Sequence, residues 1–432
     1  MIIDAMLKGE ERCFDMLNIS LLEPVVLYLG LVLFIWGGTN KFGRKLEINE
    51  DFTSLEIMKS LRGLAAIGVI LHHISQEEIF QKNHVLSPFV NAGAIFVSIF
   101  FFCSGYGLLK SFDTKENYLK GFIKNRIVKT LVLPFYVDVV IYGLLMFIAG
   151  FKLPKERWIF NFTGLTMMNE FAWFPIVLAF LYIAFYLCFR FIKNRPVCFV
   201  MIFTVIIALG VGFCYNGHFA WWYGPKNWWS EPFSSYTPEW WQVQKALWFN
   251  GEWWVNSAPA FFTGLVFANY EKQIVSFFRK AYWIKLHILL LITFAMFMLS
   301  SFGQMRFGYW TEFNGNGPDV ENKIWTFLCQ VPFYLVVAFT VIVFMMKYHV
   351  NNPVLRFFGK YSLHTYLMNL AALTAFRFLQ TDNTSFIKAG KNDLLIYVIF
   401  VMLFTVLLGV GEQKLTELLQ KLLFRKKTAK AS

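Results

Sequence analysis

The chain has 432 residues, of which 57% are hydrophobic, 19% aromatic and only 16% charged. Soluble domains run near 45–50% apolar and about 25% charged, so this composition belongs to a chain that sits in lipid. It excludes a disordered, collagen-like or disulfide-stapled protein. The net charge of +13 comes with no nucleic-acid motif, so no nucleic-acid partner is expected.

Taken in chain order, the apolar runs predict an all-α polytopic membrane helix bundle of about eleven transmembrane helices. They fall at roughly 19–36, 57–75, 88–109, 130–151, 172–192, 197–215, 254–270, 282–302, 324–346, 355–376 and 394–411. The runs are continuous rather than alternating, which excludes barrel strands. The segments near 57–75 and 355–376 are the least apolar, since each carries Arg, Lys or His. The leader before the first run mixes Asp4, Glu10, Glu11 and Asp15 with Lys8 and Arg12, so that run reads as an anchor rather than a signal peptide.

Charge assigns a direction. With the N-terminus out and the C-terminus in, 26 of the 40 Lys and Arg fall in cytoplasmic segments, 13 on the opposite side, and Arg62 lies inside a span. That bias follows the positive-inside rule and accounts for the excess charge, including the tail Arg425-Lys426-Lys427. Three regions result: 1–56, an N-terminal extra helix and connector; 57–411, the main membrane domain; and 412–432, a basic cytoplasmic tail. The six cysteines are scattered and form no pair with metal or redox spacing, so no metal site is expected.

Ionisable residues inside spans are expensive in lipid and mark functional sites. In the second span Arg62 and His73 are eleven residues apart. On a helix that leaves them about 20° apart around the axis and about 16 Å apart along it. One face thus carries a cation low down and an imidazole well above it. Imidazole can take a proton from a hydroxyl, which makes His73 a natural general base. Gly63, Ala65, Ala66 and Gly68 permit close approach of a neighbouring helix or a ligand. Asp138 is predicted mid-span at a similar depth, where it would hold His73 in one tautomer or neutralise Arg62. Ser104, flanked by glycines, has no nucleophile elbow and reads as packing. His364, Lys360, Gln330 and His287 are lesser polar candidates.

These residues carry a family resemblance. Arg62-Gly63, followed by small and aliphatic residues and by His73, resembles the arginine–histidine motif of the acyltransferase-3 family of integral membrane O-acyltransferases. Phe101-Phe102-Cys103-Ser104-Gly105-Tyr106, the basic stretch Lys124 to Lys129 ending at Pro134, Trp173-Phe174-Pro175, Phe261-Phe262-Thr263-Gly264 and Gly359-Lys360-Tyr361-Ser362-Leu363 with Tyr366-Leu367 resemble its later segments in order. The resemblance implies transfer of an acetyl or other short acyl group from cytoplasmic acyl-CoA to a hydroxyl of a cell-surface or lipid-linked glycan. His73 would be the essential histidine, with Arg62 at the thioester end of the donor. Arg126, Lys129 and Lys124 would bind the donor, for which acetyl-CoA is the usual choice. The chain departs from the family pattern with Lys59 for an Asp, Lys129 for an Arg, Asn369 for a late His, and the extra leading span.

Nine of the 15 Trp lie between 216 and 254, in the longest connection, on the outer side. Trp221, Trp222, Trp228, Trp229, Trp240 and Trp241, with Glu252, would stack on sugar rings and bond their hydroxyls; an aromatic belt along the headgroups is the alternative. The expected partners are therefore a glycan or glycolipid acceptor and the bilayer, with self-association left open. The expected location is a bacterial inner or plasma membrane. A transporter or flippase without acyl chemistry is the rival reading, and a glycan sensor a third.

Overall fold

In the computed structural model the described residues are 29–30, 32, 48–77, 80–81, 86–148, 169–223, 256–308, 320–348, 351–377 and 391–424. Among them every regular element is helical. In chain order those of eight residues or more are α1 (Leu55–Ser75), α2 (Gly93–Thr114), a π-helix (Ile123–Val132) running straight into α3 (Leu133–Ile148), α4 (Trp173–Phe191) and α5 (Arg195–Tyr223). Then follow α6 (Pro259–Arg279), α7 (Tyr282–Phe307), α8 (Val320–Met345), α9 (Pro353–Lys360), α10 (Ser362–Arg377) and α11 (Lys391–Leu423).

Eight helical segments among the described residues are long and apolar enough to cross a membrane, against the eleven expected. The first expected span falls outside the described residues except at 29, 30 and 32. The run at 254–270 does form α6, but Asn269, Glu271, Lys272 and Gln273 dilute its second half. The run at 355–376 is not one helix. It breaks at Tyr361 (φ −100°, ψ 11°) between α9 and α10. The expected outer connection also starts later, because α5 continues as helix to Tyr223.

Burial separates centre from rim. Of the most apolar stretch of α1, 72% is buried, against 22% for α7. The rim helix α7 instead exposes Ile284, Leu291, Phe294 and Met305, which is what a lipid-facing surface requires. α1 starts at Ser54, whose side chain accepts from the Ile57 N–H at 3.4 Å, with Glu56 in the first turn.

Glycines set the closest crossings. A methyl group on Gly63 would lie 1.8 Å from the Leu355 carbonyl oxygen, and one on Gly359 would lie 1.8 Å from that of Lys59. Only hydrogen fits at either place, so α9 lies backbone-to-backbone and antiparallel along the start of α1. A second such pair joins α2 to α6: Gly105 faces the Phe261 carbonyl at 2.1 Å and Gly264 that of Phe102 at 2.2 Å, both measured from an added methyl. The small residues of the motifs therefore serve helix packing.

The π-helix has a local cause. Pro134 has no N–H to give the Thr130 carbonyl, and its ring crowds that carbonyl. The Thr130 hydroxyl meanwhile donates back to the Arg126 carbonyl at 2.5 Å. The preceding turn widens to i→i+5 bonding, a winding frequently found at functional sites.

One end of the bundle gathers the basic residues. Arg195 pairs with Asp113 at 2.5 Å and donates to Asn269 at 3.1 Å. Lys110 reaches Glu271 at 2.5 Å, and Glu271 also accepts from Thr53 at 2.7 Å and Tyr106 at 3.2 Å. The Asn49 amide donates to the Lys347 carbonyl at 3.1 Å, and Gln420 to that of Lys129 at 2.8 Å. The end of α2, the start of α5, the middle of α6 and the residues just before α1 and just after α8 are thus tied together, and the end of α11 is tied separately to the π-helix.

Candidate active site

His73 is buried near the far end of α1. Its Nδ1 lies 2.7 Å from the Asn369 Oδ1 on α10, while the Asn369 Nδ2 donates to the Thr405 hydroxyl on α11 at 3.1 Å. With the amide oriented this way its oxygen faces the ring, so the neutral imidazole donates from Nδ1. Its Nε2 then carries the lone pair. The ring is also clamped flat against Phe171, with centroids 3.8 Å apart and planes within 16°. Tyr366 stands 6.3 Å away and His72 5.3 Å. The neighbouring His72 turns elsewhere and bonds through Nδ1 to the Phe89 carbonyl at 2.9 Å.

Asp138 is fully buried, as its position inside a span required, but it neither hydrogen-bonds His73 nor pairs with Arg62. Both of its oxygens accept from the Asn169 Nδ2, at 2.9 and 3.0 Å. That nitrogen also donates to the Leu367 carbonyl at 2.8 Å, and the Asn169 Oδ1 accepts from the Phe171 N–H at 3.0 Å. Asp138 therefore acts through Asn169: it fixes the turn that presses Phe171 on the imidazole, and the helix that carries Asn369. It stands at two removes from the ring.

Arg62 is half-buried at the basic end of the same helix, within electrostatic reach of Cys103 and Tyr182. Among the described residues no carboxylate pairs with it. Arg126 reaches the same tyrosine, and Ser104 stands beside its hydroxyl. The Arg126 guanidinium lies over the Tyr118 ring at 5.5 Å. Tyr118 opens onto a groove of 580 Å³ whose lining includes Lys115, Lys120, Arg190, Tyr186 and Phe112. Cations thus stand in sequence from this groove, with Lys115, Lys120 and Arg190 in its lining, to Arg126 over Tyr118 and then to Arg62, which shares Tyr182 with Arg126. Above Arg62, on the same face of α1, stands His73.

The basic motif does not act as one cluster. With i→i+5 winding, residues five apart lie one above the other, so Lys124 and Lys129 share a face and Arg126 points elsewhere. Both lysine ammoniums stand 5.1 Å from the Phe424 ring at the end of α11, away from the Tyr118 groove. Trp228, Trp229, Trp240, Trp241 and Glu252 lie outside the described residues, as do the side chains of Trp221 and Trp222. Among the lesser candidates, His364 pairs through Nδ1 with the buried Glu412 Oε2, whose other oxygen accepts from Thr416 at 2.8 Å. That pair ties α10 to α11.

The residues that the motifs did not single out are Asn169 and Phe171. Asn169 falls between two spans, where neither periodicity nor spacing points to it. Asn369 was visible only as a departure from the family pattern, and it proves to be the imidazole's partner.

No curated protein and no solved structure matches the chain. A family model described as an acyltransferase domain, acyltransferase-3, matches residues 56–411. That match takes in α1 with its arginine and histidine, the basic π-helix, the paired glycines and α10, so this multi-pass membrane protein belongs to the acyltransferase-3 family of acyltransferases.

Proposed function

We propose that the protein transfers an acetyl or other short acyl group from acyl-CoA to a hydroxyl of a cell-surface or lipid-linked glycan. The basic end of the bundle faces the cytoplasm in this reading, in a bacterial inner or plasma membrane. The observation that carries it is the imidazole of His73: its Nδ1–H is held by Asn369, leaving Nε2 as the base, on the same helix face as Arg62, which pairs with no carboxylate among the described residues. The groove beside Tyr118, with Lys115, Lys120 and Arg190, takes the nucleotide phosphates, and Arg126 and Arg62 guide the rest of the donor inward.

The His73 Nε2 accepts the proton of the acceptor hydroxyl as its oxygen attacks the thioester carbonyl. The tetrahedral intermediate collapses with loss of the C–S bond. The departing CoA thiolate takes the proton back from the imidazolium, and both products leave neutral at the exchanged positions. The acceptor enters from the end opposite the basic groove, the side on which the Trp-rich segment is expected.

Purified protein in phosphatidylcholine vesicles, supplied with radiolabelled acetyl-CoA, tests the reading. CoA release that depends on added glycan acceptor, and that His73→Ala abolishes, is the expected result. Binding of acetyl-CoA without transfer or hydrolysis, unchanged in His73→Ala, overturns it in favour of a transporter or flippase. Mass analysis of surface glycans with and without the gene then identifies the acyl group and the acceptor.

A further inference from the structure

The thirteen residues 412–424 extend beyond the family-matched segment, yet they pack against the π-helix that carries the basic motif. Gln420 donates to the Lys129 carbonyl at 2.8 Å, and Phe424 receives both Lys124 and Lys129 at 5.1 Å. Between them opens a groove of 710 Å³ lined by Lys129, Glu417, Gln420, Lys421, Leu422 and Phe424. Among the described residues no carboxylate pairs with Lys124, Lys129 or Lys421. Glu417, the one acidic group in the lining, instead accepts from Gln413 at 2.8 Å. Two lysines in the lining, with Lys124 beside it over the Phe424 ring, against one carboxylate leave this groove in want of an anion.

The surroundings say which anion. α11 exposes Leu403, Leu407, Leu418 and Leu422 along one stripe, spaced by four, eleven and four residues, as on a single helix face. The stripe runs along a helix apolar enough to span a membrane and ends at the groove, whose lining includes Leu422. A phospholipid whose chains follow these leucines brings its phosphate to Lys129, Lys421 and Lys124. The donor has its own groove beside Tyr118, and Arg126 turns toward that one. We propose that the groove between the π-helix and the end of α11 is a site for the headgroup of an anionic phospholipid. Occupancy there fastens the end of α11 to the helix that carries Arg126, so it stiffens the element that holds one of the cations between the Tyr118 groove and Arg62.

Lysines near an anionic surface each add about 1 kcal/mol, or roughly a fivefold gain in affinity. Native mass spectrometry of the delipidated full-length protein, titrated with phosphatidylglycerol or phosphatidylcholine, reads this directly. Phosphatidylglycerol is expected to bind more tightly. Lys421→Gln, at an exposed position that leaves the packing intact, should weaken it about fivefold, and the triple change Lys124→Gln, Lys129→Gln, Lys421→Gln about a hundredfold. The triple change Lys115→Gln, Lys120→Gln, Arg190→Gln in the other groove should leave it unaltered. Equal binding of the two lipids, or binding unaltered by Lys421→Gln, overturns the proposal. Displacement of phosphatidylglycerol by adenosine 3′,5′-bisphosphate also overturns it, since the groove would then belong to the nucleotide. None of these readouts depends on acyl transfer, so the site and the proposed reaction stand or fall separately.

Discussion

Replacing Asn369 by Ala removes the acceptor of the His73 Nδ1–H, a contact of 2.7 Å between two buried side chains. A buried donor left without a partner costs about 1–3 kcal/mol. The ring keeps its stacking on Phe171, worth about 0.5–1.5 kcal/mol, so it stays near its plane while the preference for one tautomer is lost. The bond matters to catalysis because it leaves the lone pair on Nε2. Its loss should therefore lower the acyl-transfer rate roughly 5- to 150-fold. Nitrogen-15 spectra of histidine-labelled protein should show His73 protonated on Nδ1 in the wild type and a mixture in Asn369→Ala. Asn369→His, which offers a ring nitrogen as acceptor, should recover much of the rate. Asn369→Ala with wild-type turnover and an unchanged tautomer would refute the assignment of His73 as a base aligned by this amide.

The glycine crossings should tolerate nothing larger than hydrogen: Gly359→Ala, whose methyl meets the Lys59 carbonyl at 1.8 Å, should cost at least about 1–3 kcal/mol and lower the yield of monodisperse protein. Gly107→Ala, which meets nothing within 4 Å, is the control and should behave as wild type. Asn169→Ala should impair activity and thermal stability more than Asp138→Asn, since it empties four hydrogen bonds at once while Asp138→Asn keeps an oxygen for the Asn169 amide; the reverse order in melting and turnover would place Asp138 nearer the chemistry. Arg126→Ala should raise KM for acyl-CoA about tenfold or more, whereas Lys124→Gln should leave it within about twofold, because one charged contact is worth about 1.5–3 kcal/mol and, of the two, Arg126 lies over Tyr118 of the groove proposed for the donor.

The features that repeat along a helix were legible in the sequence. The eleven-residue spacing of Arg62 and His73 is local geometry, and so is the burial of the helix that carries them. Tertiary arrangements were not. The break at Tyr361 lies beside Gly359, which packs against the Lys59 carbonyl three hundred residues away, and α9 starts at Asn352, whose side chain accepts from the Leu355 N–H at 2.9 Å. The placement of Asp138 in a span was sound, but its partner, Asn169, sits where no period operates. The basic stretch was visible as a run of charge. That its lysines and arginine face different grooves follows from π-winding, for which Pro134 and Thr130 were the only local signs.

The same rigidity that aligns Arg62 with His73 also separates their tasks. Eleven residues of α-helix hold the two Cα atoms about 16 Å apart. Side chains on a helix lean toward its N-terminus, and Arg62 is the N-terminal member, so its guanidinium leans away from the imidazole toward the basic end. One thioester carbonyl therefore cannot be in contact with both. In the proposed reaction Arg62, beside Tyr182 and Arg126, would therefore meet the part of the donor that trails toward the phosphates rather than the thioester itself. The kinetic consequence is specific. Arg62→Gln should raise KM for acyl-CoA while kcat at saturating donor stays within a few-fold of wild type, and Arg62→Lys should recover part of the KM. His73→Gln should do the opposite, lowering kcat with KM for the donor little changed. A collapse of kcat in Arg62→Gln at saturating donor, with normal donor binding, would bring Arg62 back to the reacting carbonyl and require α1 to bend between the two residues.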